Sequence, residues 1–129
     1  MDEITILQAE VLKVLASPRR LEILHQLAGA TMEVGRLATE INASQPNVSQ
    51  HLAVMRAAGL VESERDGREV RYRLADPDVI RACDLMRQVL ARRLTRLGEL
   101  ATPTHSTTTT RRVAARLLAP IAARSTSHG

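Results

Sequence analysis

Between Val34 and Gly59 the chain carries two short stretches of helical apolar spacing held apart by only three residues. The first stretch holds Val34, Leu37, Ala38 and Ile41. Asn42-Ala43-Ser44 turns the chain. The second begins at Ser44 or Gln45, holds Val48, Leu52 and Met55, and stops at Gly59. Two helices joined by about three residues make a helix-turn-helix, with the second lying across the first.

The flanking segments fit around that pair. Residues 4–15 place Ile4, Leu7, Val11, Val14 and Leu15 on one stripe. Ser17-Pro18 then supplies an N-cap and a first-turn proline for a second helix. That helix is expected to run to about Ala28, to bury Leu21, Leu24 and Leu27, and to end at Gly29. From Leu60 the period falls to two. Val61, Ser63 and Arg65 alternate with acids, Val70, Tyr72 and Leu74 alternate with arginines, and Asp66-Gly67 lies between the runs as a hairpin turn. Taking those two residues as the loop sets Arg65 against Arg68, Glu64 against Glu69, Ser63 against Val70, Glu62 against Arg71 and Val61 against Tyr72. One face is then apolar and the other charged. Asp76-Pro77 opens a last helix whose apolar positions are Val79, Cys83, Met86, Leu90, Leu94 and Leu97. The seam runs ~27 Å at about 1.5 Å per residue. So long an apolar seam on so small a domain calls for a second copy of the chain, meeting it at this helix and at Leu7 and Val11 of the first. The expected fold is mainly α with a small β-hairpin: a winged helix-turn-helix, homodimeric through its first and last helices.

Residues 1–100 are expected to make up this winged-helix and dimerisation domain. Residues 101–129 begin with a Thr-rich stretch that has nothing to bury and continue with an Arg-rich segment; they are expected to form a flexible tail. No apolar run approaches the roughly 20 residues of a membrane span. The single cysteine allows no internal disulfide, and the expected location is the cytoplasm.

The net charge of +4 is a poor guide to partners, because residues 1–100 hold fourteen basic and fourteen acidic side chains and the excess lies in the tail. Local placement is more informative. With Val48 facing the core, Leu52 and Met55 lie beside it, while Pro46, Gln50, Ala53 and Ala57 point away and Asn47, Ser49 and Arg56 take the flanks. No acid occurs from Asn42 to Val61. A helix with one anchored face and one short, acid-free, hydrogen-bonding face suits the major groove of double-stranded DNA, which admits a single helix. Gln50 can pair with adenine, and Asn47 has the same chemistry with shorter reach. Ser44, Ser49 and His51 suit phosphates or base edges, and Arg65 and Arg68 suit a neighbouring minor groove or backbone. With one Tyr and no Phe or Trp there is no stacking platform for single strands. No catalytic constellation is visible, so no enzyme is expected. The rival reading is a winged-helix module that binds protein, which calls for an apolar or acidic face on the second of the paired helices.

Four motifs in order strengthen the DNA reading. They are Leu15-Ala16-Ser17-Pro18-Arg19-Arg20-Leu21-Glu22-Ile23-Leu24, Gln45-Pro46-Asn47-Val48-Ser49-Gln50-His51-Leu52, Ala58-Gly59-Leu60-Val61, and Asp66-Gly67-Arg68 with Tyr72-Arg73-Leu74. Over about residues 5–98 the chain resembles the ArsR/SmtB family of bacterial repressors. The resemblance implies a winged-helix homodimer and an operator of two half-sites about one turn apart. By position it makes Gln45, Pro46, Ser49 and Gln50 recognition residues.

The resemblance also permits a check of the family's metal sites. The thiol site resembles Cys-Val-Cys, and Glu33, Val34 and Gly35 stand there. The last-helix zinc site falls on Asp76, Asp78, Val89 and Arg92, two carboxylates without imidazole. No metal or cofactor is expected, which leaves an unknown small-molecule effector, a site in the tail, or none. His25 reads as a partly buried histidine and Cys83 as a small hydrophobe on the seam, where two copies could otherwise meet and oxidise.

Overall fold

A computed structural model describes residues 1–98. The tail proposed for 101–129 lies outside the described residues. Met1–Cys83 forms one compact unit, and a second begins at Asp84.

The first unit opens with α1 (Glu3–Leu15) and α2 (Pro18–Gln26). Asp2 caps α1, its Oδ1 accepting from the Thr5 amide at 2.7 Å. Hydrogen bonds from Thr5 hold this exposed carboxyl below its ordinary value. Ser17 caps α2 by accepting from the Arg20 amide, with Pro18 in the first turn as expected. A short strand, β1 (Met32–Glu33), leads into α3 (Val34–Glu40). Asn42 then takes a φ of 54°, the left-handed conformation that an asparagine tolerates and a β-branched residue resists. That single residue redirects the chain into α4 (Gln45–Ala57).

The core forms where these helices meet. Ile23, Leu24 and Leu27 of α2, Leu37, Ala38 and Ile41 around α3, and Val48, Leu52 and Met55 of α4 are all buried, closed by Leu15, Leu60 and Val61. It is wholly aliphatic apart from the methionine thioether. Among the described residues no polar or charged side chain is buried in it. Leu24 and Leu27 are inside as expected, whereas Leu21 is only half-buried and Ile23, not anticipated, is fully enclosed.

The strands β2 (Val61–Asp66) and β3 (Glu69–Leu74) form the hairpin, and β1 adds to the far edge of β3, giving the antiparallel order β1-β3-β2. The hairpin register differs from the expected one by two residues. Val61 lies opposite Leu74, Ser63 opposite Tyr72 and Arg65 opposite Val70, so the loop is Gly67-Arg68 rather than Asp66-Gly67. The backbone explains the choice. Gly67 takes a φ of 64° and Arg68 no positive φ, the pattern of a type II′ turn, whereas an Asp66-Gly67 loop of type I′ would force Asp66 into the left-handed region. Charge favours the same register on balance: it has two opposite pairs, Glu62–Arg73 and Glu64–Arg71, and one like pair, Asp66–Glu69, where the expected pairing had two like pairs, Glu64–Glu69 and Arg65–Arg68, and one opposite pair, Glu62–Arg71. A shift of two leaves every side chain on its expected face. Val61 is buried and Ser63, Val70, Tyr72 and Leu74 are half-buried, while Glu62, Glu64, Arg71 and Arg73 are exposed.

The last helix, α5 (Asp78–Gly98), starts after Asp76, whose Oδ1 accepts from the Asp78 amide at 2.9 Å. This is the capping role that the sequence assigned to it. Val79, Ile80 and Cys83 pack against the core of the first unit. In the second unit Leu85, Met86, Val89, Leu90 and Leu94 are exposed.

Candidate nucleic-acid interface

Anchoring comes first. Val48, Leu52 and Met55 are each 0% exposed, and they fix one side of α4 to the core. On the other side Gln45, Pro46, Asn47, Ser49, Gln50, Ala53, Arg56 and Ala57 are exposed. The helical wheel therefore places the expected residues outward, with one addition: Val54, 39% exposed, contributes an apolar patch that the wheel did not single out.

The start of α4 is well defined. Ser44 Oγ accepts from the Asn47 amide at 3.3 Å, and Pro46 occupies the first turn. The Ser44 oxygen is thus committed as a cap, which leaves its proton for an outside acceptor. Gln45 lies back over α3. A Cβ on Gly35 would fall 2.9 Å from Gln45 Nε2, so the glycine leaves the space that the amide occupies. His51 is half-buried at the inner flank, and its Nδ1 accepts from Arg20 Nε at 3.2 Å. That partnership is not legible from the sequence, because the two residues are 31 positions apart.

The wing brings charge alongside. Arg73 donates to Glu64 at 2.8 Å and to Glu62 at 3.2 Å, and Arg71 pairs with Glu69 at 3.4 Å. Such exposed pairs add little stability. Their effect is to offset the carboxylates of the outer face. Among the described residues Arg56, Arg65 and Arg68 enter no ion pair, and all three are exposed. The acids are therefore partly screened while three guanidinium groups stay available around α4 and the wing.

The expected dimer residues divide into two groups. Leu7, Met86, Leu90 and Leu94 are exposed, and Val11 and Leu97 are half-buried. Val11, Val79 and Cys83 pack against the core of their own protomer. Ile6 and Leu12 of α1 and Leu85 and Val89 of α5, not among the expected residues, are exposed as well. Their signal in the sequence is an apolar arc wider than a single stripe.

Among the described residues no group of three or more His, Cys, Asp or Glu is placed to hold a metal ion. No helix there is long and apolar enough to cross a membrane.

Known proteins share this arrangement. Residues 17–63 match the family model for bacterial regulatory proteins of the arsR family. The chain is 47% identical over 74 residues to the HTH-type transcriptional repressor SmtB of Mycobacterium tuberculosis, a match covering 57% of this chain and 55% of that protein, about half its length. The crystal structure of Rv0081 from M. tuberculosis superimposes with a TM-score of 0.66 at 37% identity, covering 74% of this chain and 97% of that one. The homodimeric winged helix-turn-helix DNA-binding domain of Mb0332 from Mycobacterium bovis, solved by NMR, gives a TM-score of 0.63 at 34% identity over 79% of this chain and 91% of that one. With a shared winged helix-turn-helix fold and this level of identity, the chain belongs to the arsR family of bacterial regulatory proteins, a family of transcriptional regulators rather than enzymes.

Proposed function

We propose that the chain is a cytoplasmic transcriptional repressor that binds a two-half-site operator in double-stranded DNA as a homodimer. The observation that carries this reading is the exposed face of α4. It is acid-free, bears amides and hydroxyls, and is held by three fully buried side chains on its opposite side. Pro46, Asn47, Ser49 and Gln50 face the base edges, and Gln45, exposed at the start of the helix with its amide over Gly35, stands beside them. Ser44, His51 and Arg56 meet the backbone, and Arg65 and Arg68 of the wing reach the adjacent groove. The apolar residues of α1 and α5 join two copies, as the homodimeric M. bovis neighbour suggests. Residues 1–100 suffice for this, with the tail as an appendage. Loss of the family's thiol and imidazole ligands favours an organic effector or none over a metal.

Selection of duplexes from a random-sequence pool by the purified protein tests the reading. A recovered motif with two half-sites one turn apart is expected; recovery of no motif at low salt would defeat it. On the recovered duplex, Gln50→Ala is expected to cost ~1–3 kcal/mol and to relax base preference at one position per half-site. Unchanged preference in a mobility-shift series would remove Gln50 from the recognition set. Arg68→Ala is expected to weaken the recovered and random duplexes alike and to lower the slope of log affinity against log salt by about one per protomer. A loss confined to the recovered duplex would show that Arg68 reads sequence instead.

A further inference from the structure

Two adjacent arginines in the first turn of α2 reach in different directions. Arg19 Nη1 donates to the Ile41 carbonyl, where α3 ends, at 2.7 Å. Arg20 Nη1 donates to the Val14 carbonyl in the last turn of α1 at 3.0 Å, and its Nε donates to His51 Nδ1 of α4 at 3.2 Å. Arg20 therefore joins three helices, two of them through hydrogen bonds from a single guanidinium.

The chemistry of that second bond is one-sided. A guanidinium has donors only, so Nδ1 must be the acceptor, and the neutral ring carries its proton on Nε2. Among the described residues Nε2 has no hydrogen-bond partner, and it is not sealed from solvent. His51 thus presents a donor and no acceptor to anything that approaches. Its place on the helix indicates which acceptor. His51 lies about 60° from Val48 at ~100° per residue, near the inner edge of α4, whereas Gln50 points straight out. When a helix enters a groove, its outward face meets the base edges and its flanks meet the phosphate walls.

We propose that Arg20 is a positioning residue for DNA binding: it fixes His51 as an Nε2–H donor to a backbone phosphate oxygen and ties α4 to the last turn of α1. This rests on the DNA-binding reading above. A phosphate oxygen accepts from Nε2–H, and the cationic Arg20 behind the ring strengthens the bond.

The test uses the full chain and the tightest duplex recovered from the random pool. Arg20→Gln and His51→Leu are each expected to lower affinity about tenfold, the effect of losing one hydrogen bond to a charged group. The double variant is expected to lose about tenfold as well. A loss near a hundredfold would mean that the two residues act independently, and would overturn the proposal. A neutral methylphosphonate at the contacted position is expected to weaken the wild type and leave His51→Leu unaffected; equal weakening of both, or of neither at every position scanned, overturns the phosphate contact. If Arg20→Gln does not fold, Arg20→Lys, which keeps the charge but not the fork, takes its place. Nitrogen NMR of the imidazole tests the link without DNA. A bare Nδ1 whose resonance moves in the Arg20 variant is expected, and a ring spectrum indifferent to Arg20 sinks the link. Should the wild type recover no duplex, the DNA-binding reading and the phosphate contact fail together, while the ring spectrum still decides the Arg20–His51 link.

Discussion

Leu90→Asp is expected to leave the protein monomeric and to abolish binding to the recovered duplex. Leu90 is 43% exposed within its own chain and sits in line with Met86 and Leu94, also exposed. A second copy would cover all three. A carboxylate at this position, met again across the two-fold axis, brings two like charges into an apolar seam, and the effective penalty is several kcal/mol per buried ion. Loss of the partner has a larger consequence for DNA than for the fold. Two linked half-site readers gain roughly 10²–10⁴-fold over one, without any new contact. A monomer keeps its recognition helix and loses that gain. Sedimentation combined with fluorescence anisotropy on the recovered duplex checks both outcomes. A variant that remains dimeric at micromolar concentration would refute the seam. A monomer that still binds tightly would refute the need for two copies.

The second large effect lies in the core. Leu52 is 0% exposed and belongs to the core that α4 shares with α2, α3 and the start of β2. Leu52→Ala removes buried methyl groups and leaves a cavity, a change that costs ~2–5 kcal/mol. Domains of this size hold about 5–15 kcal/mol in all. The same substitution removes an anchor of α4, so base recognition should weaken along with stability. Urea unfolding at fixed protein concentration measures the first effect, the fixed concentration being required because a dimer gains stability by mass action. A loss below ~1 kcal/mol would mean that neighbouring side chains collapse into the gap, and that the aliphatic core is more plastic than its close packing suggests.

The parts of this fold that were legible in the sequence are those where independent physical rules agree. The α3–α4 pair was readable because apolar spacing, the Ser44 cap and the Asn42 turn agree. Where two solutions satisfy the same rule, the sequence did not choose between them. Asp66-Gly67 and Gly67-Arg68 both make two-residue hairpin loops, and both keep Val61 and Tyr72 inward, since a period of two is blind to a shift of two. Only the φ preference of Asp66 and the cross-strand charges separate them. The strand β1 was invisible for another reason: two residues cannot display a period.

The site divides in the same way. Which side of α4 points outward follows from helix geometry, and Val48, Leu52 and Met55 decide it. What the side chains touch does not follow. The Gln45 amide rests over Gly35, and His51 is held by Arg20, and both contacts depend on how separate helices come together. Leu85 and Val89 lie off the single stripe that helical spacing picks out, because the apolar arc of α5 is broader than one stripe.

Tyr72, half-buried on the central strand and paired with Met32 on one side and Ser63 on the other, is the single tyrosine of a sequence that has no tryptophan or phenylalanine. With no tryptophan or phenylalanine to compete, the intrinsic ultraviolet emission of this protein comes from one phenol at the base of the wing. Any ligand that bends, stiffens or shields the hairpin can therefore be followed by light alone, without a dye or an engineered reporter.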